Sequence, residues 1–298
     1  MRLTGNITEL HERLSNQTYV HGKYHAFRLN DPKPRLIHKT SVCDRLVHHA
    51  VYRTLAPGFD RFFIHDSYAC RKGKGVHKAL RRFTDFGNKV SQNHTRTTWV
   101  LQCDIRKFFD SIDHQILLSI LHWHITDDAT LGLLQSIVTS FSVHRKTDIG
   151  LPLGNLTSQL LVNVYMNIFD QFVKRKLKTK YYIRYADDFV FLHHNRDYLE
   201  VLLPQVEQFL FDTLNLTLHP NKVHMKTLYS GIDFLGWVHF PKHRVLRTST
   251  KRRMIRRLYD NPNEDSLQSY LGLLSHGDTY KLRGKVLRNF LFYPSKGT

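Results

Sequence analysis

Three aspartates stand where the chain could carry out metal-dependent chemistry. Asp187 and Asp188 are adjacent in YYIRYADDFVFLHH, between two runs typical of buried strands, and Asp104 ends an apolar run upstream. Adjacent buried carboxylates repel each other and are costly unless something positive lies beside them. Magnesium prefers hard oxygen ligands, and two such ions can activate a hydroxyl and stabilise a phosphate leaving group. An Asp pair alone is usually a solvated turn, but the flanking apolar strands and the third aspartate favour a site for two Mg²⁺ or Mn²⁺ ions that act on phosphates.

Short strands and one long helix must position these aspartates. TTWVLQCDI is rich in β-branched and aromatic residues and predicts a strand ending at Asp104, while residues 181–193 predict two strands about a turn that contains Asp187 and Asp188. Apolar residues at helical spacing predict a helix from Leu156, preceded by a glycine turn and capped by Asn155 or Thr157. The ends of neighbouring strands can bring three carboxylates to one point.

Helices and hairpins are predicted for the rest of the chain. SVCDRLVHHAVYRTLAP predicts a helix that ends at Pro57, another helix begins near Val76, and EVLLPQVEQFLFDTLN predicts a helix interrupted at Pro204. LTLH predicts a strand, GIDFLGWVHFPKHRVLR a hairpin, and the segment from residue 242 two or three short helices. The pattern predicts an α+β fold, in which a small antiparallel sheet is backed by helices and followed by a basic helical extension.

The charge of the chain indicates a polyanionic partner. Its 298 residues carry a formal charge of +19 with a pI near 9.9, and residues 242–298 hold thirteen Lys or Arg against four Asp or Glu. A solvated basic surface could explain part of this excess. An excess of this size is more typical of a protein that binds nucleic acid and releases its counterions.

The cysteines and the hydropathy pattern predict a reducing, cytoplasmic location. Cys43, Cys70 and Cys103 are widely spaced and form no C-x-x-C pair, so neither a disulfide framework nor a zinc site is expected. The N-terminal stretch MRLTGNITEL lacks the apolar core of a signal peptide. No stretch approaches the ~18 consecutive apolar residues of a membrane span, so we expect no membrane association.

The motifs in combination resemble a reverse transcriptase. CDIRKFFDSIDH, GLPLGNLTSQ, YADDF and FLGW follow one another in the order of that family, and the resemblance extends from about Pro34 to the C-terminus. It implies a right-hand polymerase that makes cDNA on a template RNA from dNTPs, as an RNA-directed DNA polymerase. Residues 1–98 would form fingers, 99–240 a palm with a fingers-like insertion around 118–148, and 241–298 a short thumb.

The resemblance also implies roles for individual residues. Asp104, Asp187 and Asp188 would hold the metal ions, with the Ile105 carbonyl as a further ligand, and Lys222 in HPNKV would protonate the pyrophosphate leaving group.

Further residues would contact the substrates. Phe109 would abut the incoming sugar and exclude a 2′-hydroxyl. Arg71, and Arg35 as a second contact, would hold the triphosphate. The hairpin at Phe234, Leu235, Gly236 and Trp237 would hold the primer end. The basic thumb residues expected to bind nucleic acid are Lys251, Arg252, Arg253, Arg256 and Arg257.

The glycine turn departs from the pattern of many reverse transcriptases, Q-G-x-x-x-S-P. Leu153 replaces the glutamine before Gly154, and Gln159 replaces the proline. All three would lie at the nucleotide. This departure, together with SYACRKGKGVHKAL, GIDFLGW and DSLQSYL, resembles the bacterial or phage-encoded enzymes of diversity-generating retroelements. That resemblance implies error-prone copying of template adenines and a small basic accessory protein as partner.

Two alternatives stay open at this point. The enzyme could instead be a retron-type or phage-defence reverse transcriptase, or a short relative of group II intron enzymes. A non-catalytic RNA-binding protein with a polymerase fold belongs to another class, and the intact aspartates and Lys222 argue against it. Phe109 disfavours an RNA-dependent RNA polymerase.

Overall fold

The computed structural model describes residues 2–30, 34–143 and 148–292. Its α-helices are α1 (Arg2–Ser15), α2 (Val42–Asp60), α3 (Val76–Val90), α4 (His114–His124), α5 (Asp128–Thr139), α6 (Leu156–Gln171), α7 (Arg196–Leu214), α8 (Thr248–Asp260), α9 (Glu264–Leu274) and α10 (Tyr280–Phe292). Its strands are β1 (His25–Leu29), β2 (Arg35–Lys39), β3 (Trp99–Asp104), β4 (Tyr182–Tyr185), β5 (Asp188–His193), β6 (His224–Thr227), β7 (Ile232–Phe234), β8 (Trp237–His239) and β9 (Arg244–Leu246).

A four-stranded antiparallel sheet in the order β4-β5-β3-β6 lies at the centre of the fold. Successive residues of β5 point to opposite faces, and both faces are buried, which explains why the strand reads as a continuous apolar run. Phe189 and Phe191 pack in the cluster that contains α6 and α7, whereas Val190 and Leu192 pack in the cluster that contains α3. Helices on both faces therefore fix the ends of β3 and β5.

Two smaller sheets flank this centre. β1 and β2 form a hairpin, and β7, β8 and β9 form a three-stranded antiparallel sheet. The three terminal helices pack behind the second of these sheets through Met254 of α8, Leu267 and Leu274 of α9 and Val286 of α10, which are buried with Trp237. The predicted α+β class with a small antiparallel sheet is confirmed, and so is the prediction of short helices after residue 242.

Three local predictions are wrong. The helix α2 continues through Pro57 to Asp60, and α7 runs without a break through Pro204. A proline removes one N–H donor, but the long buried face of α7 keeps that helix intact through Leu199, Leu202, Val206, Leu210 and Leu214. LTLH is not a strand, because only Leu218 forms a bridge, to Ile105. On the side of β3 away from β5, the paired strand is β6, which was not predicted from the sequence.

The predicted division into fingers, palm and thumb remains a proposal. Residues 118–148 contain most of α4 and all of α5, which pack together, and α4 also packs on α6. Parts of the predicted fingers, insertion and thumb, at residues 1, 31–33, 144–147 and 293–298, lie outside the described residues. In the part of the chain that the structure describes, no helix has the length and apolar character needed to cross a membrane.

Candidate active site

The pairing of β3 with β5 brings the three aspartates together. Asp104, the last residue of β3, is the register partner of Asp188, the first residue of β5. Directly opposite residues in an antiparallel pair have Cβ atoms about 4.5–5.5 Å apart. Asp187 lies in the preceding turn, where its carbonyl accepts a hydrogen bond from the Ile105 amide at 3.3 Å. The structure thus places Asp104, Ile105, Asp187 and Asp188 at one end of the central sheet.

Burial and neighbouring carboxylates raise the pKa values of Asp187 and Asp188. Burial, followed by the charges of Asp187 and Asp104, raises the pKa of Asp188 to about 7. Burial and the nearby Asp104 also raise the pKa of Asp187. Both shifts have the same physical meaning: negative charge is concentrated here in a desolvated place. A cation bound at this point would offset the repulsion.

One cation of the protein already contacts this cluster. The Nζ atom of Lys222 lies 2.8 and 2.9 Å from the two carboxylate oxygens of Asp104. A short turn positions it: the His219 amide donates to the Asp104 carbonyl at 2.8 Å, and the Lys222 amide donates to the His219 carbonyl at 2.9 Å. Lys222 therefore lies at the predicted site, bound to a carboxylate.

The donor set suits a hard divalent cation. Carboxylate oxygens are the ligands that Mg²⁺ prefers, and the raised pKa values of Asp187 and Asp188 show that the protein itself leaves their charge poorly compensated. Among the described residues, however, no group of three or more His, Cys, Asp or Glu side chains is arranged so that it could hold a metal ion as it stands. The Lys222 ammonium contacts both oxygens of Asp104, so a metal ion bound there would share this carboxylate with Lys222 or displace it.

A buried arginine of β4 holds the backbone of the turn that contains Asp187. Arg184 is fully buried, and its guanidinium binds the Asp170 carboxylate of α6 through three hydrogen bonds of 2.7 to 3.1 Å. The same guanidinium donates to the Ala186 carbonyl at 3.1 Å and to the Ser67 hydroxyl at 3.1 Å. Burial lowers the pKa of Arg184, but the Asp170 charge offsets this and the net pKa is raised.

This network links the turn to α6 and to the segment before α3. Ala186 has a positive φ of 56°, an uncommon conformation for a residue with a side chain. The bond from Arg184 fixes its carbonyl in that conformation. Sequence reasoning missed this residue, although an arginine inside the apolar strand YYIRY is an anomaly that could have drawn attention to it.

Phe109 and the glycine turn form one connected surface. The Leu151 amide donates to the Phe109 carbonyl at 2.8 Å, and the Leu153 carbonyl accepts from the His38 amide of β2 at 3.0 Å. Gly154 has a φ of 113°, and a Cβ there would meet Ile37 at 2.8 Å, so both the conformation and the space favour glycine. Phe109 is half-buried and packs edge-on against Phe108.

A cavity of about 320 Å³ lies between β2, α2 and the start of α6. Gly154 and Gln159 line it together with Arg45 and Lys39. Of the predicted nucleotide-binding residues around the turn, Gly154 and Gln159 thus face a partly basic cleft between the hairpin and the central helix, whereas Leu153 is not among the described residues that line it. Asn155, predicted as a cap of α6, is the N-cap residue, but its side-chain amide donates to the His38 carbonyl instead of capping the helix.

The two predicted triphosphate arginines lie in different environments. Arg35 is exposed and close enough to Asp187 for its charge to lower the pKa of that carboxyl. Arg71 is bound into the fold: its guanidinium donates to Asp60 at 2.6 Å and to the carbonyls of Ile64 and Ser67 at 2.7 and 2.9 Å. A rearrangement would be needed before Arg71 could bind a triphosphate, and its role stays a prediction.

The FLGW segment forms a hairpin and buries its aromatic rings. Leu235 and Gly236, with φ values of 50° and 86°, form a two-residue turn between β7 and β8. Phe234 and Trp237 are 2% and 1% exposed and pack toward α3 and the terminal helices. Only the turn itself could hold a primer end through surface contacts.

The basic residues of α8 surround one buried side chain. Met254 faces inward, while Lys251, Arg252, Arg256 and Arg257 are exposed and Arg253 is half-buried. A strand of nucleic acid could therefore contact this helix without disturbing its packing.

Comparison with known proteins agrees with this geometry. Residues 29–239 match the reverse transcriptase (RNA-dependent DNA polymerase) family. Protein YkfC of Escherichia coli is 25% identical over 284 residues, which cover 82% of this chain and 71% of that protein. The group II intron-encoded protein LtrA of Lactococcus lactis is 28% identical over 157 residues, 51% of this chain and 25% of LtrA.

Solved structures show the same fold. Telomerase from Candida albicans, in complex with a TWJ fragment of telomeric RNA, superimposes with a TM-score of 0.58 at 10% identity and covers 91% of this chain. This chain spans about half the length of that telomerase chain, 54%. The right-hand polymerase fold is confirmed. This chain belongs to the reverse transcriptase family, which confirms the predicted class of RNA-directed DNA polymerase and gives it relatives among intron-encoded proteins.

Proposed function

We propose that this chain is an active RNA-directed DNA polymerase whose chemistry takes place at Asp104, Asp187 and Asp188. The observation that supports this most directly is the convergence of these three carboxylates at the end of β3 and β5, with raised pKa values at Asp187 and Asp188. A polymerase fold that had lost its chemistry would have no reason to keep this costly concentration of charge.

Divalent metal ions, which reverse transcriptase domains generally use, would be held by these carboxylates and the Ile105 carbonyl. Two ions would supply Lewis-acid stabilisation of the phosphate and activation of the primer hydroxyl. Lys222, whose ammonium now contacts Asp104, would hold the proton that the leaving phosphate needs. Arg184 would keep the aspartate turn in place.

The remaining residues would bind the substrates. Phe109 would contact the sugar of the incoming dNTP, and Arg35 would contact its phosphates, with Arg71 joining after its bond to Asp60 opens. The exposed cations of α8 would contact the phosphates of template RNA and cDNA, in line with the charge of +19 on the chain.

The finer proposal is an error-prone enzyme of the diversity-generating type. It is supported by the glycine turn, in which Leu153 and Gln159 replace the residues common in the family. A glutamine amide could donate and accept hydrogen bonds beside the nascent base pair, whereas leucine offers apolar contact alone. Such an enzyme would use a small basic accessory protein. The intron-encoded relatives favour the alternative, a retron-type or group II intron-type enzyme.

A single experiment tests both the polymerase activity and its diversity-generating type. The wild type and Leu153→Gln extend a DNA primer on one adenine-rich RNA with dNTPs and Mg²⁺, and the cDNA is sequenced. A missing hydrogen bond of about 1 kcal/mol changes discrimination several-fold, so we expect frequent misincorporation opposite adenine in the wild type and several-fold less in the variant. Equal and low error rates in both proteins would contradict the diversity-generating type but not the polymerase activity. Absence of cDNA from the wild type would contradict the polymerase itself.

A further inference from the structure

A second cavity lies at the opposite end of the central sheet from the aspartates. It has a volume of about 370 Å³, and its walls include Arg96, Lys178, Lys180, His193 and Tyr198. His193 is the last residue of β5, five positions from Asp188, which corresponds to about 17 Å along a strand. This far-end cavity is therefore separate from the candidate active site.

Among the described residues, no carboxylate pairs with the cations at the far-end cavity. Arg96, Lys178 and Lys180 are exposed, and none of them forms an ion pair with a residue that the structure describes. The described residues that line the cavity include no Asp or Glu. The Arg96 guanidinium is held in place by a 2.7 Å bond from its Nε to the Val90 carbonyl. The walls thus present three cations without a carboxylate partner among the described residues, one of which, Arg96, is held in place, and this arrangement suits a phosphate.

Aromatic rings lie beside these cations. The rings of His193 and Tyr198 are 4.1 Å apart, and the Lys180 ammonium lies 5.5 Å from the centre of the Tyr181 ring. Thr179 and Tyr198 share a hydrogen bond of 3.0 Å at the same wall. Cations with interleaved aromatic rings are the combination that binds single-stranded nucleic acid, because phosphates pair with the cations and bases stack on the rings.

The size and surroundings of the cavity favour a strand over a free nucleotide. A volume of about 370 Å³ falls at the lower end of the range of about 300–1,000 Å³ that small ligands occupy, so one nucleotide unit fits. The positive surface continues past the cavity in the exposed Arg175 and Lys176. At the other side, Arg196, which forms an ion pair with Glu200 at 2.7 Å, lies over the Trp99 ring at 5.3 Å.

We propose that the far-end cavity binds one nucleotide unit of a single-stranded RNA segment, outside the polymerase cleft. Arg96, Lys178 and Lys180 would bind its phosphates, and Tyr181, His193 and Tyr198 would contact its base. An RNA held at both places would be tethered to the enzyme while another part of it passes through the cleft. This proposal goes beyond polymerase activity and does not depend on it.

The test uses the double variant Lys178→Gln/Lys180→Gln and a control of equal charge change, Arg53→Gln/Arg61→Gln, on exposed residues of α2 and its C-cap that do not line the cavity. The cleft of the full chain is first saturated with a short primer–template duplex that cannot be extended. A labelled 12-nucleotide single-stranded RNA carrying one 5-iodouridine is then titrated by fluorescence anisotropy and, in parallel, crosslinked with light.

We expect the lysine variant to bind this RNA about tenfold more weakly, with a salt slope lower by about 1.4, since each phosphate that a cation binds on a single strand contributes about 0.7. The control should bind as the wild type does. Crosslinks should map to Tyr181, His193 or Tyr198, and extension of a short annealed primer should be unchanged in both variants.

Three outcomes would overturn the proposal. These are equal RNA affinity in the wild type and the lysine variant, crosslinks confined to other parts of the chain, and full displacement of the RNA by an equal concentration of ATP. The last result would mean that a free nucleotide occupies the cavity. Loss of primer extension by the wild type would contradict the proposed function without affecting this binding measurement.

Discussion

Arg184 offers a prediction that separates stability from catalysis. Replacing it in Arg184→Met removes the guanidinium and leaves the Asp170 carboxylate buried without its cation, since both side chains are 0% exposed. Leaving one member of a buried ion pair alone costs about 3–5 kcal/mol of the free energy of unfolding. We expect the single variant to lose stability of that size.

The double variant Arg184→Met/Asp170→Asn should recover most of that loss. Asparagine carries no charge, and its side-chain oxygen can still accept the hydrogen bond that the Tyr182 hydroxyl donates to Asp170 at 2.8 Å. The Ala186 carbonyl remains without its donor in both variants, so the aspartate turn is free to shift. Because misplacement of a catalytic group by about 1 Å can cost a factor of about a hundred, we expect the polymerisation rate to stay at least tenfold low.

Urea unfolding and single-turnover primer extension measure the two quantities on the same preparations. The reasoning about the buried charge would be refuted if the double variant were as unstable as the single one. A double variant that polymerised at the wild-type rate would refute the role of Arg184 in holding the turn.

Three further predictions concern the sugar, the phosphates and pH. Phe109→Ala should incorporate ribonucleotides more readily. Unchanged selectivity for dNTPs over rNTPs would mean that Phe109 serves only to pack the fold. Replacing three exposed cations of α8, Lys251, Arg252 and Arg256, by glutamine should lower the salt slope of nucleic-acid binding by about 0.7–0.9 for each phosphate that is no longer bound. An unaltered slope would mean that α8 faces another partner. Burial, with the charge of Arg244, lowers the pKa of His239 to about 3. As the pH falls below 6.5, the unfolded state binds a proton at this residue that the folded state excludes. The free energy of unfolding should therefore decrease, by about 2 kcal/mol at pH 5. Urea unfolding of His239→Gln should show a flatter pH dependence than the wild type, whereas the exposed control His11→Gln should not.

The sequence predicted the central part of the site because the signal there is local. Asp104 ends one short apolar strand, Asp188 begins another, and Asp187 lies in the turn just before it. Antiparallel pairing of such strands brings these ends together. The turn before α6 was predictable for the same reason, since Gly154 needs a positive φ that other residues adopt with difficulty.

The parts that could not be predicted depend on contacts between distant segments. The ion pair of Arg184 with Asp170 joins β4 to α6, and neither residue shows its partner in the sequence. Lys222 reaches Asp104 across 118 positions of the chain. The bond of Arg71 to Asp60 depends on how α2 ends, and that end was misplaced because Pro57 was expected to stop the helix.

The central claim is that the carboxylates of β3 and β5 carry out polymerisation, and Asp187→Asn tests it most directly. The wild type, Asp187→Asn and the control Asp212→Asn, which changes an exposed aspartate of α7, extend the same DNA primer on the same RNA with dNTPs and Mg²⁺. Asparagine keeps the shape of the side chain but not its charge, so we expect Asp187→Asn to bind RNA normally and to lose nearly all extension, while Asp212→Asn extends like the wild type. Extension by Asp187→Asn at the wild-type rate would contradict the claim.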